Sequence, residues 1–70
     1  MTPAQRHYSQ GVSLFDSGEY QKALEEFSQT IELDPQYAEA YYIRGHSYAN
    51  LGQYERAIEE IRRASCRERV

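Results

Sequence analysis

Apolar side chains recur three and four positions apart along the first half of the chain. Tyr8, Gly11, Val12, Leu14 and Phe15 form one such stripe, and Tyr20, Ala23, Leu24, Phe27 and Ile31 form the next. That spacing puts each stripe on one side of an α-helix, with the intervening polar positions facing water. It returns in Tyr41, Tyr42, Gly45, Tyr48 and Ala49, and again in Tyr54, Ala57, Ile58 and Ile61. The punctuation agrees. Thr2 can cap a helix whose first turn takes Pro3, where a missing N–H costs nothing. Gly18 and Gly52 fall where a helix ends in a left-handed residue. Asp34 precedes Pro35 and is pushed out of helical geometry. The pattern predicts four helices, over roughly 3–17, 20–33, 37–51 and 54–65.

The two halves also repeat one another. "GEYQKALEEF" from Gly18 returns 34 residues later as "GQYERAIEEI" from Gly52. At that offset nine residues are identical, pairing Ala4 with Ala38, Tyr8 with Tyr42, Gly11 with Gly45, Ser13 with Ser47, Gly18 with Gly52, Tyr20 with Tyr54, Ala23 with Ala57, Glu25 with Glu59 and Glu26 with Glu60. Ordinary composition would give about two in 33 pairs. Each unit therefore reads as two amphipathic helices. Gly11 with Ala23, and Gly45 with Ala57, lack side chains that would hold two helix axes apart, so close antiparallel packing is expected at those points.

These residues resemble the tetratricopeptide repeat family. The period, the Gly11/Leu14 and Gly45/Tyr48 pairs, the Gly-x-Tyr turns, the Ala23/Phe27 and Ala57/Ile61 pairs and Pro35 all match its pattern, over residues 4 to 64. His7 departs from it where the family often has Trp, as do Gln10 and Arg44 where it prefers Leu, and Thr30 where it prefers Ala. The resemblance implies an all-α fold of tandem antiparallel helix hairpins, stacked as a right-handed α-solenoid. Repeat one is expected over 4–37 and repeat two over 38–64, the second cut short.

By the same resemblance, the first helices line a concave groove that binds a peptide or helix of a partner protein. It would hold Gln5, Tyr8, Val12, Phe15 and Asp16 from the first unit, and Glu39, Tyr42, Ile43, His46 and Asn50 from the second. Tyrosine and phenylalanine suit such a surface because they bury large area with few torsions. Clamps of the family that hold chaperone C-terminal carboxylates use Lys and Asn at the positions of Tyr8, Val12 and Ile43, none of which can make those bonds. Tyr20, Tyr48 and Tyr54 stand at packing positions and are expected in the core.

Length and charge narrow the remaining classes. A chain of 70 residues buries only about 60% of its unfolded surface, which leaves little room for a deep enzyme pocket. Charged residues make up 27% and hydrophobic ones 40%, a balance suited to folding rather than disorder. Net charge is −3, and residues 1–62 alone carry ten acidic and five basic side chains. An acidic body repels phosphate, so nucleic acid is not expected as a partner. No apolar run is long enough to span a membrane and the first residues lack a secretion signal, which suggests a cytoplasmic setting. His7 and His46 lie in different units without cysteine or carboxylate ligands at metal spacing, and are expected on the surface or in the groove. Glu25, Glu26, Glu59 and Glu60 are expected on a solvated face, paired with Lys22 and Arg56 three or four residues earlier. Neither phosphate loop nor nucleophile motif appears. The chain is read as non-enzymatic, with no cofactor and no metal.

Residues 63–70, "RASCRERV", break the repeat, with Arg69 where a proline equivalent to Pro35 belongs. The string resembles a widely used sequencing adapter translated in frame, AGA GCG TCG TGT AGG GAA AGA GTG, and is expected to be non-native. Cys66, the lone cysteine, then carries no role.

Two units without a third should leave the apolar side of residues 54–62 bare, because each unit covers its neighbour's face. The expectation is a piece of a longer array, or self-association through that side. The rival function is a structural spacer or self-assembling solenoid without a peptide ligand. A catalytic domain beyond the second unit is a further alternative.

Overall fold

The computed structural model describes the backbone of residues 1–68 and the side chains of residues 1–64. Four helices follow one another: α1 Pro3–Asp16, α2 Tyr20–Leu33, α3 Ala38–Asn50 and α4 Tyr54–Glu68. No strand occurs among the described residues. Thr2 caps α1 reciprocally with Gln5: its hydroxyl accepts the Gln5 backbone N–H at 3.1 Å, while the Gln5 side-chain Oε1 accepts the Thr2 N–H at 3.0 Å. The first helix of each unit ends in the same way. Gly18 and Gly52 take φ of 85° and 86°, and the residue after each donates back, Glu19 to the Leu14 carbonyl at 2.9 Å and Gln53 to the Tyr48 carbonyl at 2.8 Å. This pair of turns satisfies carbonyls that the helix end would otherwise leave open. Between the units, the Asp34 carboxylate accepts the Gln36 N–H at 3.1 Å and fixes a short turn around Pro35.

Helix α1 packs on α2, α2 on α3, and α3 on α4. The first and last of these pairs cross at the two glycines. A Cβ on Gly11 would lie 2.5 Å from the Phe27 ring, and one on Gly45 would lie 2.8 Å from Ile61 Cγ1 and 3.0 Å from the Ala57 carbonyl oxygen. The buried apolar set is mostly alanine, namely Ala4, Ala23, Ala40, Ala57 and Ala64, with Leu24 and Phe27 as its large members. Thr30, at the position where the repeat prefers alanine, is fully buried and its hydroxyl donates to the Glu26 carbonyl at 3.0 Å. A local acceptor removes the cost of sealing that hydroxyl from water.

Several expectations are corrected. Glu60 is not on a solvated face and is not paired with Arg56. It is buried, and Arg44 reaches it from α3 with Nε at 2.9 Å and Nη2 at 2.7 Å. The same guanidinium donates through Nη1 to Ser28 of α2 at 3.1 Å, so Arg44 ties three helices together. Glu26, the equivalent of Glu60, is half-buried and accepts from His7 Nδ1 at 2.8 Å. His7 therefore belongs to the α1/α2 packing, not to the open surface. Lys22 pairs with Glu19 at 3.3 Å, and Arg56 lies over the Tyr48 ring at 5.8 Å. For Glu26 and Glu60 the physical reason is the same: a carboxylate facing a neighbouring helix finds its donor there and not one turn away on its own helix.

Tyr54 is corrected as well, being 66% exposed. Its counterpart Tyr20 rests edge-on against Phe15 at 5.2 Å, and the second unit has Ala49 in place of that ring. Helix α4 runs to Glu68, three residues past its expected end at 65, because Arg69 replaces the proline that would have pushed Glu68 out of helical geometry. The expectation that residues 63–70 are non-native concerns side chains that, from Ser65 onward, lie outside the described residues.

Candidate functional site

Tyr8 and Phe15 stand seven residues apart, two turns of α1, and so share one side of it. On α3 the residues Glu39, Tyr42, Ile43 and His46 follow at intervals of three, one and three, which gathers them on one side in the same way. The fold turns these two sides toward each other, and all six residues line a single cleft of ≈ 340 Å³ whose walls are mainly aromatic and aliphatic. Tyr42 is 52% exposed, and its ring meets the His46 imidazole edge to face at 4.7 Å.

Tyr8 is held from behind. Its ring packs against Phe27 at 5.9 Å and against Tyr37 at 5.1 Å. A contact residue braced by the core presents its ring with little torsional freedom left to lose, which favours binding. Burial pushes the Tyr8 phenol above the ordinary tyrosine range, and the Glu39 carboxylate and the Tyr37 phenol add to this. Burial, then Glu39 and Asp34, raise Tyr37 likewise. Both phenols thus remain neutral hydrogen-bonding groups well beyond neutral pH, beside a carboxylate that would favour a basic group on any ligand.

Six of the ten groove positions expected from sequence meet in this cleft. Val12 lies in an adjoining one of ≈ 570 Å³, lined with Gln5, Tyr37 and the shared Tyr8. Asp16 and Asn50 are exposed at the far ends of their helices, and the Asn50 side-chain amide donates to the His46 carbonyl at 2.9 Å. Tyr37 was not among the expected residues. Its equivalent in the first unit is Pro3, so the internal repeat offers no pattern at that position. The signal available was its place just after the Pro35 turn, at the entry to α3.

A family model described as TPR repeat matches residues 11–52. The chain belongs to the TPR repeat family. The match spans the end of α1, all of α2 and α3 and the turn to α4, so it covers both the Gly18 and Gly52 helix ends and the Pro35 turn. Comparison with curated proteins gives no match. TPR repeats serve as protein–protein interaction modules and are typically non-catalytic. Among the described residues, no helix is long and apolar enough to cross a membrane.

Proposed function

We propose that this TPR chain captures a peptide or helix of a partner protein in the cleft between α1 and α3, and that it is not itself a catalyst. The observation that carries the reading is the convergence of Tyr8, Phe15, Tyr42 and Ile43 from two units on one cleft, with Glu39 at its edge. An apolar side chain of the partner would enter between the rings, and a neighbouring lysine or arginine would meet Glu39. The acidic charge balance supports a protein over a nucleic acid as partner.

Selecting peptides from a random library on the wild-type chain supplies the test. Tyr42→Ala is expected to weaken the selected peptides by about 2 kcal/mol or more. The exposed ring adds little to the core, so the melting temperature should hold. Loss of both together would assign Tyr42 to packing, and the groove reading would fail.

A second reading is favoured by a separate observation. Ile58 is 56% exposed, whereas its first-unit counterpart Leu24 is 7% exposed beneath α3. We propose that the chain also associates through this uncovered side of α4, either beside peptide capture or in place of it as a structural solenoid. In a longer array a third hairpin would cover the same side.

A further inference from the structure

We infer that the uncovered face of α4 pairs with the same face of a second copy across a two-fold axis, the helices antiparallel, with Glu55 of each copy opposite Arg62 of the other. The inference rests on the self-association just proposed and gives it a geometry. Tyr54, Ile58 and Arg62 follow at intervals of four along the face, and Glu55 flanks them. Tyr54 and Ile58 are 66% and 56% exposed, and Glu55 and Arg62 are exposed too.

The internal repeat shows what is unusual about this face. Helix α2, against which α3 packs, carries the equivalent stripe, Tyr20, Leu24 and Ser28 flanked by the exposed Gln21. Both polar positions of that stripe are uncharged. In α4 they become Glu55 and Arg62, one charge of each sign placed either side of Ile58. Seven residues of helix separate them by about 10 Å, too far to pair within one chain. Among the described ion pairs, neither takes part.

Antiparallel pairing centred beside Ile58 resolves both charges at once. A two-fold axis there brings Ile58 toward its own copy and sets Glu55 against Arg62 twice, since an isologous contact repeats each pair. The opposed helix dipoles add to the fit. Docking α1 of a second copy on α4, in the manner of α3 on α2, fits less well. Arg6 would then occupy the position at which α3 presents the fully buried Ala40.

Sedimentation velocity over a concentration series at low salt tests the geometry on the 70-residue chain. The wild type is expected to form dimers, and Ile58→Glu to remain monomeric with unchanged helicity. Glu55→Arg and Arg62→Glu should each raise the dimer dissociation constant about tenfold, and the double reversal should return it to within about threefold of wild type. Circular dichroism confirms that each variant folds. Association without rescue by the double reversal, or association lost on changing Arg6, would overturn the two-fold pairing while leaving self-association standing. A wild type that stays monomeric throughout would overturn both.

Discussion

Arg44 joins α3 to α4 through Glu60 and to α2 through Ser28, with its guanidinium also over the Tyr41 ring at 5.7 Å. The Arg44 and Glu60 side chains keep only 14% and 9% of their exposure, so each has given up most of its hydration. Breaking such a pair from one side leaves a buried charge without compensation, whereas replacing both partners by apolar groups need not. Arg44→Ala is therefore expected to cost about 3–5 kcal/mol. Arg44→Leu combined with Glu60→Leu should cost clearly less than the sum of the two single changes. Urea denaturation of the double-mutant cycle measures the difference. Additive effects below about 1 kcal/mol would mean a solvated pair.

The tyrosines make a second residue-scale prediction. Tyr8 and Tyr37 hold their protons more tightly folded than unfolded, since both phenols are raised above the ordinary 10.0. The stability they contribute is then complete below pH 10.0 and declines as pH rises from there through the folded values. Alkaline denaturation should show this fall, and Tyr8→Phe with Tyr37→Phe should flatten it. A wild-type profile already flat above pH 10.0 would contradict the assignment.

These residue contacts were the part of the molecule least legible in the sequence. Glu26 and Glu60 repeat identically, yet their partners come from different positions, His7 in one unit and Arg44, the counterpart of Gln10, in the other. A partner displaced by one turn between units leaves no trace in the repeat. It emerges only when residues 16 and 19 positions apart in sequence are brought together on facing helices.

At the scale of elements far more could be read, because helix ends and crossings depend on local chemistry. The left-handed glycines, the Asp34–Pro35 stop and the capping residue Thr2 act within a few positions of themselves, and the helices begin and end close to them. The crossings follow from residues without side chains. Gly11→Ala tests this: alanine favours helix by about 1 kcal/mol, but the new methyl group would meet three Phe27 ring atoms at 2.5–2.9 Å. Phe27 is fully buried and has no room to swing aside. A net loss of about 1–3 kcal/mol is expected in thermal unfolding. A raised melting temperature would mean that α1 and α2 do not approach as closely as described. The groove was legible to the extent that it is a helix face. Tyr37 escaped because it enters from a turn, where periodicity says nothing.

The whole molecule is a slab measuring 31 × 31 × 16 Å. Its thin dimension leaves space for little more than alanines and two large side chains at the centre, so most aromatic rings meet a surface. That shape suits recognition across a face better than chemistry in a cavity. The two broad regions of consequence are the α1/α3 side, where six residues line one cleft, and the exposed stripe of α4. They differ in chemistry, one aromatic with a carboxylate at its edge, the other apolar between opposite charges. The peptide and the second copy proposed above would therefore meet different surfaces.

The most direct measurement of the central claim is a residue-resolved NMR titration of the chain with a peptide selected on it. Backbone shifts are expected to concentrate at Tyr8, Phe15, Glu39, Tyr42, Ile43 and His46, with α2 and the outer face of α4 little changed. Shifts concentrated instead on α2 or α4, with the α1/α3 cleft silent, would contradict it.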